Sequence, residues 1–184
     1  MKQALCPNTA LRVSNRAPGG GPFASHAGGV DWNYYTMDVK LLHEANGLRT
    51  FAVIFSTGDE PVSGLERFAG DHGVTAAQVT AIGAFSRATV GYFDWQRKDY
   101  QRIGIDEQVE VLTLAGNIAV KDGGRNPALH LHVVLGRRDG SACGGHLLEA
   151  SVRPTLEVIV IESAAHLRRR TDPETGLALL DAGA

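Results

Sequence analysis

The clearest structural signal lies in residues 128–148, which read ALHLHVVLGRRDGSACGGHLL. The first part, as far as Leu135, is rich in apolar and β-branched residues and is typical of a strand. Arg138, Asp139 and Gly140 then supply a polar turn, and a second apolar segment follows Gly145. Two strands joined by so short a turn pair antiparallel, so this stretch predicts a β-hairpin.

Further strands are predicted on both sides of this hairpin. A helix is predicted to begin at Pro61 and to end at Gly73, because Leu65 and Phe68 recur between them at helical spacing. Consecutive strands with short turns favour antiparallel pairing, so the sequence predicts an α+β fold with a largely antiparallel sheet and one main helix. The strand candidates are residues 35–42, 49–56, 77–85, 88–95, 100–105, 109–120, 128–136, 141–152 and 155–162.

The domain organisation follows from composition. Residues 17–29 contain five glycines and two prolines, so residues 1–30 are predicted to be a flexible or partly ordered leader. Residues 31–184 are predicted to form a single domain with a C-terminal tail, whose segment Leu177 to Leu180 is a possible docking element. No apolar run reaches the roughly 18 residues of a membrane span. Neither Cys6 nor Cys143 has a second cysteine at CxxC spacing. A cytoplasmic location with reduced thiols is therefore expected.

Charge gives little support for nucleic-acid binding. With 18 basic and 20 acidic residues the formal net charge is −2, so no global field draws the protein onto DNA. The best basic cluster is Arg168-Arg169-Arg170, a weak candidate for phosphate contact. Asp172 and Glu174 follow at once, and a locally neutralised, solvated terminus is the competing interpretation.

The predicted hairpin brings three histidines together. His130 and His132 project from the same face of one strand, because side chains two residues apart share a face. His132 and His146 each lie seven residues from Asp139, so a turn centred there places them directly opposite. His130 then lies one diagonal step away. A register slip of one residue would send His146 to the other face.

Three imidazoles on one patch are a suitable ligand set for a divalent metal, and zinc is the first expectation. No fourth ligand is evident, because Glu149 should face the opposite side, and this favours an open catalytic site over a closed structural one. Nickel, copper, cobalt and iron(II) also accept imidazole ligands. The competing interpretation is a surface cluster of histidines. Metal affinity should weaken as pH falls below about 6.5, because the ligands must be neutral.

Six short motifs resemble, in order and spacing, those of the plant-and-prokaryote conserved (PPC) domain, which also occurs in plant AT-hook nuclear proteins. The resemblance covers about residues 36–162 and implies an α+β domain assembled as a homotrimer. The motifs are Gly58-Asp59-Glu60, Thr80-Ala81-Ile82-Gly83-Ala84, Gly91-Tyr92-Phe93-Asp94, Glu110-Val111-Leu112-Thr113-Leu114-Ala115-Gly116-Asn117-Ile118, His130-Leu131-His132-Val133-Val134-Leu135-Gly136 and Gly144-Gly145-His146-Leu147.

The resemblance leaves two hypotheses for function. Bacterial members carry a DNA-binding label by analogy with plant relatives, which suggests a DNA-associated or regulatory module with a structural metal. This chain has no Arg-Gly-Arg-Pro hook, the element that enters the minor groove in the plant proteins. The alternative is a small-molecule metalloenzyme with an open three-histidine site. Asn117, at a position the family keeps, and Glu110 are the candidate ligand-contacting residues.

Overall fold

The computed structural model describes residues 37–121, 124, 126–181 and 183. The predicted leader, residues 1–30, lies outside the described residues. The elements in chain order are strand β1 (Asp38–Ala45), β2 (Leu48–Ser56), helix α1 (Pro61–His72), and strands β3 (Ala77–Asp94), β4 (Asp99–Ile105), β5 (Val109–Lys121), β6 (Pro127–Gly136), β7 (Ala142–Glu162), β8 (Arg168–Thr171) and β9 (Ala178–Asp181).

The nine strands of the described residues form one sheet, which is almost entirely antiparallel. The order of hydrogen-bonded neighbours is β1-β2-β7-β3-β5-β8-β9. In addition, β4 pairs with β3, and β6 pairs with both β5 and β7. The pairings β3–β5, β5–β6, β6–β7 and β7–β3 therefore close a circuit of four strands. Only β5 and β8 run parallel among the described strand pairs. The predicted α+β class with a largely antiparallel sheet and one helix is confirmed.

The helix begins and ends as its sequence predicts. The Glu60 side chain accepts hydrogen bonds from the backbone N–H groups of Val62 and Ser63, and Pro61 occupies the first turn, where its missing N–H costs nothing. Gly73 ends the helix with φ of 65°, a left-handed conformation that glycine adopts without a Cβ clash. Among the described residues, no helix is long and apolar enough to cross a membrane.

The core lies between α1 and the sheet, and inside the closed circuit of strands. Leu65 and Phe68 of α1 are fully buried, as are Phe55 of β2 and Phe85 of β3. Leu131 is 2% exposed, which places the face of β6 opposite its histidines in the core. The apolar face of the histidine strand thus anchors that strand to the domain.

Two sequence predictions of strand breaks are wrong. Residues 77–85 and 88–95, predicted as separate strands, form the single strand β3, and residues 141–152 and 155–162 form the single strand β7. In the pairing of β3 with β7, the register shifts between Gly83 and Phe85 and again between Phe85 and Arg87. The strand continues through these shifts. A β-bulge bends a strand without ending its pairing, so a break in alternation does not require a turn. The segment after Leu177 pairs with β8 as β9, as an edge strand of the same sheet.

Candidate metal centre

The three predicted histidines lie on neighbouring strands in the register that the sequence predicts. His132 of β6 pairs directly with His146 of β7, which in turn pairs with Gly91 of β3. On the other side of β6, His130 pairs with Asn117 of β5. Directly opposed residues project from the same face of a sheet. Three strands therefore present the histidines and Asn117 on one face, which lies opposite the buried face of β6.

The imidazole rings form a compact cluster. Their centroids are 5.0–5.4 Å apart, and one ring nitrogen from each histidine lies within 4.8 Å of the others. The Nε2 atoms of His130 and His132 are 3.0 Å apart. Two imidazole nitrogens on one tetrahedral zinc ion are about 3.3 Å apart, given zinc–nitrogen distances of about 2.0–2.1 Å. The separation is close to that of two ligands of one ion.

Burial keeps two of the three imidazoles in the neutral form. Desolvation, together with the neighbouring charges of His130, His132 and Arg169, lowers the pKa of His146 to about 4. Desolvation likewise lowers the pKa of His130, with Arg169 and His132 adding to the effect. Both rings are therefore neutral near pH 7, and a neutral ring nitrogen has the lone pair that a metal requires. The Nδ1 atom of His146 is buried and has no hydrogen-bond partner among the described residues.

Tyr100 of β4 supports the cluster from the side. Its ring stacks on the His146 imidazole with centroids 4.8 Å apart and an interplanar angle of 24°. The stack depends on Gly91, since a Cβ there would lie 2.7 Å from Tyr100 Cδ1. Burial raises the pKa of Tyr100. Sequence reasoning missed Tyr100, because β4 reaches His146 only across β3, and no local pattern indicates that β7 lies beside β3.

Arg169 also lies at the cluster, in a different role from the one predicted. It is only 4% exposed, so it is not part of a basic patch on the surface. Its Nη2 donates a hydrogen bond to Asn117 Oδ1, and its Nη1 donates to the backbone carbonyl of Ala178 at 2.9 Å. Arg168 and Arg170 are exposed, and Arg170 pairs with Asp181 at 3.5 Å. Packing of β8 between β5 and β9 buries the middle arginine, since alternate residues of a strand face opposite sides.

The acidic candidate Glu110 does not join the histidines, and Glu149 supplies no fourth ligand, as the sequence leads one to expect. Glu110 is exposed at the far end of β5, where it pairs with Gly136, seven residues along the strand from Asn117. Glu149 instead pairs with Arg102 at 2.6 Å on the surface. Within the part of the chain that the structure describes, the histidine group includes no carboxylate and no thiolate.

This donor set fits a divalent transition metal. Three neutral imidazoles without a thiolate or carboxylate are typical ligands for zinc and for other ions of borderline softness. Such a set also leaves at least one coordination position to water or to another ligand. His130, His132 and His146 are the residues that would hold the ion.

Solved structures similar to this chain include proteins from bacteria and archaea. A protein from Bacteroides thetaiotaomicron, described as a presumed DNA-binding protein, is 29% identical with a TM-score of 0.69; the match covers 78% of this chain and 96% of that one. A metal-containing protein from Archaeoglobus fulgidus is 35% identical with a TM-score of 0.65, over 79% of this chain and 96% of that one.

A curated relative is much longer than this chain. The bifunctional protein GlmU from Synechococcus sp. is 33% identical over 132 residues, which are 70% of this chain and 20% of the relative. The chain therefore corresponds to about a fifth of that protein. Residues 42–164 match the Plants and Prokaryotes Conserved (PCC) domain, the domain whose motifs the sequence resembles. The chain belongs to the Plants and Prokaryotes Conserved domain family.

Proposed function

We propose that this protein binds a divalent transition metal, most readily zinc, through His130, His132 and His146, and presents the ion to a small molecule. The observation that carries the proposal is the cluster of three ring nitrogens within 4.8 Å, on strands in fixed register. The metal-containing relative from Archaeoglobus fulgidus supports it. Bound there, the ion would supply Lewis acidity toward a carbonyl group or water.

The surroundings favour an exchangeable ligand over a closed structural site. No carboxylate or thiolate among the described residues completes the coordination, and His132 is exposed. A structural zinc site is usually closed by four protein ligands, whereas a catalytic site keeps one position open. The open position is therefore where we place the small molecule.

Elemental analysis tests the proposal. Untagged protein purified without chelator is compared with His132→Ala and with His43→Ala, an exposed histidine on β1 that serves as control. We expect near-stoichiometric metal in the parent and in His43→Ala, and metal loss in His132→Ala. Loss of a direct ligand should weaken affinity by more than the 10–100-fold typical of ligand-supporting residues. A parent that stays metal-free after incubation with zinc and dialysis would refute the proposal.

A DNA-associated role is the second candidate, and the description of the Bacteroides thetaiotaomicron relative favours it. The buried position of Arg169 reduces the basic cluster to Arg168 and Arg170, of which Arg170 already pairs with Asp181. Phosphate contacts would make binding fall steeply with salt. Retention on immobilised duplex DNA between about 50 and 200 mM salt tests this role, and retention that is equally weak at both concentrations counts against it.

We also propose a homotrimer, in which copies of the chain cover exposed apolar residues of the sheet. Ile82 is 60% exposed, and Leu112 and Val134 are 55% and 41% exposed on the neighbouring strands β5 and β6. Covering such residues removes apolar surface from water. Light scattering during gel filtration should give a trimer mass, and Leu112→Glu should lower it. A monomeric parent would contradict the proposal.

A further inference from the structure

Arg169 is a buried cation that lacks an acidic partner in the described chain. It is 4% exposed, and both of its hydrogen bonds go to neutral acceptors, the Asn117 amide and the Ala178 carbonyl. The carboxylates that form ion pairs are paired with other basic residues. Buried charges are ordinarily paired with an opposite charge, because removing an ion from water is costly. The desolvation of Arg169 is therefore not offset by any carboxylate among the described residues.

Among the described residues, one nitrogen of Arg169 also finds no partner. Its Nε is buried and makes no hydrogen bond to any described residue. A guanidinium offers five N–H donors in a planar fork that matches the two oxygens of a carboxylate or phosphate. Buried donors in native structures are satisfied in the great majority of cases, by protein, by water or by a ligand. The Nε of Arg169 is therefore a donor whose acceptor is not among the described residues.

Arg169 also lies beside the histidine cluster. Its Cα pairs with that of Lys121, and its Nη2 reaches Asn117, four residues earlier on β5, so the side chain runs along β5. Asn117 is the residue directly opposite His130. The pairing of Asn117 with His130 therefore brings the guanidinium to the histidine face of the sheet, where its charge lowers the pKa of His130 and His146. The guanidinium and the imidazoles therefore belong to one site.

The charge of this site determines which ligand it suits. The histidine group contributes no negative charge and Arg169 contributes a positive one, so a divalent ion on the three histidines would leave the site strongly positive. We propose that the site binds a small oxyanion, a carboxylate or phosphate group, which Arg169 holds beside the histidines. This inference rests on the metal-binding function proposed above, and it adds the charge class of the ligand.

Oxyanion binding differs from a purely structural role for Arg169. In the structural role, the guanidinium only fastens β8 and β9 to β5 through Asn117 and Ala178, and no ligand is required. Loss of Arg169 would then lower stability without any effect on anion affinity. The oxyanion hypothesis instead requires that the parent protein bind anions and that the affinity depend on Arg169.

The test uses the cobalt(II)-loaded protein, because cobalt accepts the same ligands as zinc and its visible spectrum reports coordination. Malonate and inorganic phosphate are the anionic probes, and malonamide is a neutral probe of similar shape to malonate. Each is titrated into the parent, into Arg169→Met and into Arg168→Met, a neighbouring arginine that is exposed. Metal content is measured for every variant before titration. The two anions distinguish a carboxylate ligand from a phosphate ligand.

We expect malonate or phosphate, but not malonamide, to shift the cobalt spectrum of the parent saturably. Arg169→Met should keep its metal and bind the anion about 10–100-fold more weakly, the range for loss of hydrogen bonds to a charged group. Arg168→Met should match the parent. Equal affinity in Arg169→Met and the parent would overturn the inference. So would a parent that binds no anion, or that binds malonamide as well as malonate.

The experiment also covers a variant that does not fold and a parent protein that takes up no metal. If Arg169→Met does not fold, calorimetry of malonate and phosphate with the metal-free parent decides, because a bound metal alone would also prefer malonate to malonamide; no binding refutes the inference. If the parent takes up no metal, the proposed function fails first. Calorimetry of malonate and phosphate with the metal-free protein then decides whether Arg169 forms an anion site. If neither anion binds, the oxyanion inference is refuted independently of the metal-binding proposal.

Discussion

His132 of β6 lies directly opposite His146 of β7. The pair is the centre of the cluster, because His130 lies two residues from His132 on the same face. A slip of one residue between β6 and β7 would remove His146 from this face, so the pairing of two strands determines whether the three imidazoles meet. Substitutions that disturb the strands should therefore affect the site as well as stability.

Metal should raise the thermal stability of the protein. A ligand present at about 100 times its Kd stabilises the folded state by about 2.7 kcal/mol, which is about 5–10 °C in Tm for a chain of this size. We expect this rise when zinc is added to chelator-treated parent protein and its loss in His132→Ala. Differential scanning calorimetry measures both. An equal rise in the two proteins would indicate that zinc binds elsewhere.

Gly91→Ala should separate Tyr100 from His146. The new Cβ would lie 2.7 Å from Tyr100 Cδ1, so the ring must move, and such overpacking costs about 1–3 kcal/mol. Gly104→Ala on β4 is the matched control, because a Cβ there meets nothing within 4 Å. We expect the control to stay within about 0.5 kcal/mol of the parent. Urea unfolding measures both, and similar stabilities would contradict this account of Gly91.

Gly116→Ala should disrupt the pairing of β5 with the histidine strand. A Cβ at this position would collide with the backbone carbonyl oxygen of His130, which cannot move without shifting β6. We expect a loss of about 2–3 kcal/mol together with weaker metal binding. Gly70→Ala, on the exposed side of α1 with nothing within 4 Å, should instead stabilise by about 0.5–1 kcal/mol. Changes of the same sign would be inconsistent with this prediction.

The ion pair between Arg49 and Glu162 should make stability depend on pH. The Arg49 side chain donates to both Glu162 oxygens, at 2.8 and 2.6 Å, and holds the pKa of that carboxyl below its usual value. The stabilisation is therefore fully present above the unfolded-state pKa, near 4.3, and is lost as pH falls through the lower folded-state pKa. Glu162→Gln should cost about 1–3 kcal/mol at pH 7 and flatten the acid limb of the stability curve.

The exposed pair of Arg102 with Glu149 is the control for this prediction. Both side chains are more than half exposed, so Glu149→Gln should change stability by less than about 1 kcal/mol. Urea unfolding between pH 3 and 7 compares the two variants with the parent. A Glu162→Gln curve parallel to that of the parent would show that this carboxylate does not contribute to the acid limb.

The sequence by itself determined the hairpin and the three histidines. The period-two alternation around His130 and His132 assigns their face, and the turn near Asp139 sets the register that brings His146 opposite. These are local relationships, because β6 and β7 are joined by a short turn. Helix α1 was predictable for the same reason, since Glu60, Pro61 and Gly73 lie at its ends.

Only the tertiary structure decided what surrounds the histidines. Tyr100 reaches His146 across β3, and Arg169 reaches Asn117 through the parallel pairing of β8 with β5, although 52 residues separate Arg169 from Asn117 in the chain. Nothing in the sequence near Arg169 distinguishes it from Arg168 and Arg170. In the folded structure Arg169 is buried, whereas its two neighbours are exposed. Local periodicity carries no information about which distant strands become neighbours, because that choice depends on closure of the sheet and on bulges that change register.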